Sequence, residues 1–109
     1  MPRVQHVVLF RFRPGLSAAE EAELVAMVRG WPADIGGFRT LRFGRDTSGR
    51  AAGWEWLLLQ EFDDEATLRA YQDHPAHQRF VGWNKDHGRE LIAFDYPLDA
   101  ESSIVETGP

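Results

Sequence analysis

The chain has 109 residues, 43% of them apolar, a formal charge of −5 and no cysteine. That length fits one domain with a modest core, and the apolar share excludes disorder. The missing cysteine excludes disulfides, thiol catalysis and thiolate metal sites, and the negative charge argues against nucleic acid or an anionic membrane as partner.

Residues 4–13, VQHVVLFRFR, read as a strand. Val4, His6, Val8, Phe10 and Phe12 share one face by the period of two, and Gln5, Val7, Leu9, Arg11 and Arg13 take the other. Pro14-Gly15 stops the strand. Ser17 then caps a helix, with Glu20 three residues on completing a capping box. Leu24, Val25, Val28 and Trp31 recur at helical spacing, and Gly30 with Pro32 is expected to end the helix. Phe38 to Arg45 reads as a second strand, and Asp46 to Gly53 as a hairpin loop. The third strand is WEWLLLQEF, 54–62, with Trp54, Trp56, Leu58 and Phe62 on one face and Leu57 and Leu59 on the other.

Asp63 or Asp64 caps the next helix, which carries Ala66, Leu68, Ala70 and Tyr71. Pro75 cannot continue that helix but suits the first position of a new one. The chain is therefore expected to turn at His74-Pro75 and run on as a helix through Phe80, Val81 and Trp83. A last strand, ELIAFDYPL, ends a domain of residues 1–98, and residues 99–109 read as a flexible tail.

Strand, helix, strand, strand, helices, strand is a split βαβ order. The expected fold is α+β and ferredoxin-like, a four-stranded antiparallel sheet with helices on one face. The other face keeps Val7, Leu9, Leu57 and Leu59, more apolar surface than a monomer usually leaves bare. A homodimer packed through that open sheet face, a dimeric α/β barrel, is the expectation. No apolar run is long enough to span a bilayer, and MPRVQH lacks a signal-peptide layout, so the expected location is cytoplasmic with no membrane partner.

Four stretches carry a resemblance: HVVLFRFRPGLS at 6–17, FGRD at 43–46, EFDDEATLRAYQDHPAH at 61–77 and FDYPL at 94–98. The chain resembles the stress-responsive dimeric α/β-barrel proteins over residues 4–98. One branch of that family includes olivetolic acid cyclase, a polyketide cyclase without metal or organic cofactor. The resemblance implies an active site of His6, Tyr71 and His77, no cofactor and no metal. This sequence has Leu24 and Val28 on the first helix where the cyclase has bulky aromatics, and His87-Gly88 where it has aromatic bulk before the last strand.

The residues support such chemistry. His6 shares a face with core positions and points toward the helices, where Tyr71 also packs. The break at Pro75 brings His77 back beside Tyr71. Ring closure of aldol type needs a base for an acidic C–H and a donor for the carbonyl oxygen that gains charge. His77 is read as the base, Tyr71 as the donor and His6 as a positioning or relay group. Val8, Phe10, Leu24, Val28, Leu41 and Phe80 are expected to line the site of an apolar, polyketide-like ligand, with Arg39 meeting an anionic group at its mouth. Other readings are a non-catalytic, small-ligand-binding or stress-response homodimer and a cofactor-free monooxygenase. A metal reading of His74 and His77, joined by Asp73 and His87, suffers from the Pro75 break. His74 alone reads most simply as a junction residue.

Overall fold

The computed structural model describes residues 2–105. Its elements are β1 (Arg3–Phe12), α1 (Ala18–Asp34), β2 (Phe38–Arg45), β3 (Trp56–Phe62), α2 (Glu65–Asp73), α3 (Pro75–His87) and β4 (Gly88–Leu98). The four strands form one antiparallel sheet in the order β2-β3-β1-β4. Three helices cover one face. The expected α+β, ferredoxin-like arrangement is therefore present.

Alternation decides which side chains go inside. On β1, Val4, His6, Val8, Phe10 and Phe12 are all buried, and the residues between them are half-buried. Leu24, Val28 and Trp31 of α1 close over this face together with Tyr71, Ala76, Phe80 and Trp83. The buried rings meet edge to face: Phe10 with Phe80 at 5.6 Å and Trp31 with Tyr71 at 5.3 Å between centroids. Such pairs add roughly 0.5–1.5 kcal/mol beyond their buried area.

Local signals set most helix ends. Ser17 Oγ accepts from the Glu20 N–H at 3.1 Å, and Glu20 Oε1 accepts from the Ser17 N–H at 2.9 Å, a complete capping box. Asp64, not Asp63, caps α2, accepting from the Thr67 N–H at 2.8 Å. His74 is at once the C-cap of α2 and the N-cap of α3, and its Nδ1 accepts from the Ala76 N–H at 3.0 Å.

Two boundaries differ from expectation. α1 does not stop at Gly30-Pro32 but runs through Pro32 to Asp34. Proline lacks one helical donor, yet the Ile35 N–H still reaches the Trp31 carbonyl at 2.7 Å, with the Trp31 side chain anchored in the core. The stop comes at Gly36 and Gly37, with φ of +74° and +82°. β3 begins at Trp56 rather than Trp54. Trp54 N–H closes a turn onto the Ala51 carbonyl, and the Arg11 guanidinium sits 4.0 Å over its ring. Trp56 stacks on Phe43 at 4.5 Å, on the helix-covered side.

β4 starts at Gly88, two residues before the expected strand, beside a register shift at Arg11/Phe12. A Cβ at position 88 would lie 2.5 Å from the Asn84 carbonyl oxygen and 2.7 Å from its Oδ1. Near this end α1 and α3 are tied by polar contacts. Trp83 Nε1 donates to Glu23, and His87 Nε2 is 3.0 Å from Glu20. Residues 99–103 form a turn rather than a loose tail: Asp99 accepts from the Glu101 and Ser102 N–H groups, and Ser102 Oγ donates to the Pro97 carbonyl. The last four residues of the expected flexible tail, 106–109, lie outside the described residues.

Candidate active site

Five elements converge on one hollow of about 200 Å³ between the sheet and the helices. β1 supplies His6, Val8 and Phe10; β3 supplies Leu58. The junction of α2 and α3 supplies Tyr71, Gln72, His77 and Phe80, and β4 contributes Leu91 and Ala93. The mix of apolar walls and a few convergent polar groups is that of a small-molecule site.

Tyr71 lies in the last turn of α2 and is 1% exposed. Its ring centroid is 4.5 Å from His77 and 6.4 Å from His6. Burial raises the phenol's pKa far above its usual value, so it stays a proton donor at neutral pH. Gln60 lies near enough to oppose that shift, although neither of its buried amide atoms completes a hydrogen bond.

His77 owes its position to the Pro75 break. Its Nδ1 lies 2.9 Å from the Gln72 carbonyl. A carbonyl only accepts, so Nδ1 carries the hydrogen and Nε2 keeps the lone pair. Burial pulls its pKa below the ordinary imidazole value; the Gln72 carbonyl opposes this and the nearby His6 adds to it. His77 is thus neutral at physiological pH, with a free basic nitrogen.

His6 is 5% exposed. Antiparallel register sets it across from Asp95 on β4, and its Nδ1 hydrogen-bonds the Asp95 carboxylate. That bond fixes the ring and leaves Nε2 as the second nitrogen. On its other side the register partner of His6 is Gln60 of β3, which is 0% exposed. Neither Asp95 nor Gln60 was among the expected site residues. Asp95 stands in the FDYPL stretch, 89 positions from His6, and only the β1–β4 register joins them.

Of the expected lining residues, Val8, Phe10 and Phe80 border this hollow. Leu24, Val28, Arg39 and Leu41 do not. Leu24 is fully buried in the core. Val28 and Leu41 instead line a second hollow of about 500 Å³ with Val25, Phe43 and Trp56. Arg39 is exposed and pairs with Asp63. By the period of two Arg39 would share the helix-covered face with Leu41, but β2 pairs irregularly between Phe38 and Thr40, and the strand regularity that would aim Arg39 inward is lost there. His74 is occupied as a cap, and among the described residues no three His, Asp or Glu side chains gather as metal ligands.

A four-stranded antiparallel sheet in this order, with helices on one face, defines a ferredoxin-like α+β domain. Within that class the chain belongs to the stress responsive A/B barrel domain family, whose model matches residues 4–98. An uncharacterized protein of Streptomyces coelicolor is 30% identical over 96 residues, 85% of this chain and 97% of that protein. A family member from Mesorhizobium loti with a ferredoxin-like fold superposes with a TM-score of 0.75 at 24% identity, covering 91% of this chain and 100% of its own. A dimeric ferredoxin-like protein of unknown function from Thermobifida fusca gives 0.79 at 24%, with 89% and 92% covered. The hydroxynitrile lyase of Passiflora edulis gives 0.81 at 16%, with 91% and 95% covered. At these identities the solved structures speak for the fold.

Proposed function

We propose that this protein is a cofactor-independent acid–base enzyme that removes a proton beside a carbonyl of a β-dicarbonyl or polyketide-like substrate and closes a ring by aldol-type addition. The observation that carries the reading is the convergence of His6, Tyr71 and His77 on one hollow.

His77 Nε2 takes the proton from a carbon flanked by carbonyls, and its pKa, lowered by burial, keeps the lone pair available at neutral pH. The electron pair moves to the carbonyl oxygen, which becomes an enolate. Tyr71 O–H donates to that oxygen, a contribution of about 2.7–4 kcal/mol in a dry site. The enolate carbon then attacks a second carbonyl of the same molecule. The new alkoxide takes a proton back from His77, so the base is regenerated. His6, held by Asp95, orients the second carbonyl.

The assembly is a homodimer formed through the open sheet face. Val7, Leu9, Leu57 and Leu59 lie there as the sequence indicates, and β4 extends the patch with Ile92 and Phe94, the latter 65% exposed. Related structures from Bacteroides fragilis and Thermobifida fusca are described as dimeric, which supports this arrangement. No helix among the described residues is long and apolar enough to cross a membrane.

The test is proton exchange. Acetylacetone in D₂O should lose its central C–H signal faster with the protein than without, and His77→Ala should abolish the acceleration. Triketide and tetraketide thioesters should then yield cyclised products without oxygen uptake. Oxygen consumption would favour a cofactor-free monooxygenase, and tight ligand binding with no exchange would favour a non-catalytic carrier. Cyanohydrin cleavage is a further arm, since the same base and phenol could deprotonate a hydroxyl and release cyanide.

A further inference from the structure

Gln60 is the polar residue that the core has least reason to hold. It sits at the centre of β3, on the helix-covered face, between the buried Leu58 and Phe62. It is 0% exposed, and neither Nε2 nor Oε1 completes a hydrogen bond. An unpaired buried amide costs about 1–3 kcal/mol, which leucine or methionine in its place would not. It stands directly across from His6 and two residues before Phe62 on the same face, and the rings of both meet Tyr71, at 6.4 and 5.3 Å between centroids.

We propose that Gln60 is a positioning residue for Tyr71, donating its amide N–H to the phenol oxygen and so turning the phenol hydrogen into the hollow. The inference rests on the acid–base reading of that site. Tyr71 is clamped by Trp31, Phe38 and Phe62 at centroid distances of 5.3, 5.4 and 5.3 Å. The phenol oxygen is thereby fixed and only its hydrogen can turn. A donor at that oxygen occupies one lone pair and polarises the O–H toward a guest. Gln60 does not border the hollow, so it acts through Tyr71 and touches no guest.

The sequence has two tyrosines, Tyr71 and Tyr96. In a Tyr96→Phe background, ring-labelled tyrosine reports Tyr71 alone. The infrared C–O stretch of its phenol is read in the full chain with Gln60 intact, in Gln60→Leu and in Gln60→Met, each with and without saturating acetylacetone. The band should move in both variants, and acetylacetone exchange should slow about threefold to tenfold at unchanged KM, the worth of one ordinary hydrogen bond. An identical band in all three proteins overturns the proposal. A moved band with no catalysed exchange in any of them upholds the Gln60–Tyr71 contact and refutes the catalytic reading instead.

Discussion

The two faces of the sheet are built from the same kinds of side chain and differ in what they tolerate. The helix-covered face buries Val8, Phe10, Leu58 and Phe62, and among them it also buries His6 and Gln60. The open face presents Val7, Leu9, Leu57, Leu59, Ile92 and Phe94, with no histidine or amide at its centre. A face covered by its own helices can hold polar groups, because those helices bring Tyr71 and His77 to meet them. On the proposed function, chemistry and assembly are separated by the thickness of one sheet.

That separation can be broken by mutation. His77→Ala should cost about 10²–10⁴ in the acetylacetone exchange rate, as expected for loss of a general base, while size-exclusion chromatography with light scattering still reports a dimer. Tyr71→Phe should cost about 10²–10³ by the same assay, because one charge-stabilising donor is lost. Phe94→Asp should do the reverse, converting dimer to monomer by light scattering with exchange retained. Loss of exchange in the Phe94 variant would mean that the two faces are coupled through the partner.

pH sharpens the same contrast. Folding favours neutral His77, so the unfolded chain binds a proton near pH ~6.5 that the folded chain refuses. Below that pH protonation of the unfolded chain shifts the balance toward it. The stability His77 allows is therefore present above about 6.5 and falls as the solution is acidified, measurable by urea midpoints between pH 7.5 and pH ~5. His77→Phe should flatten that slope. The acid limb of the exchange rate should lie below the usual imidazole value for the same reason. The smallest expected effect is Ser17→Ala, which removes an exposed cap far from both faces and should lower stability by about 1 kcal/mol in the same urea titration.

Much of this was legible because it is local. The alternation of β1, the capping box at Ser17 and the break at His74-Pro75 each depend on neighbours in sequence, and each appears in the structure as read. The meeting of His6, Tyr71 and His77 followed from facing and from one proline. What escaped depends on register or on packing. Asp95 reaches His6 only once β4 pairs with β1. Gln60 broke the rule that polar residues stay out of a core face, so no pattern marked it. Pro32 looked like a stop because its missing N–H is a local cost, whereas the buried Trp31 ring holds the turn from outside. Arg39 and Leu41 share a face by the period of two, and only the irregular pairing of β2 between Phe38 and Thr40, which no local pattern marks, divides a groove residue from a surface ion pair.

Position 88 leaves evolution little latitude. The chain passes from the last turn of α3 into β4 at Gly88 with the Asn84 amide folded over it, and even one methyl group would collide. Alanine there would have to push back the helix end that holds His87 against Glu20 or shift the strand that carries Asp95. A deep mutational scan should therefore return a solitary intolerant site in an otherwise permissive surface stretch, and a designer seeking variants of this scaffold would do well to leave that glycine alone.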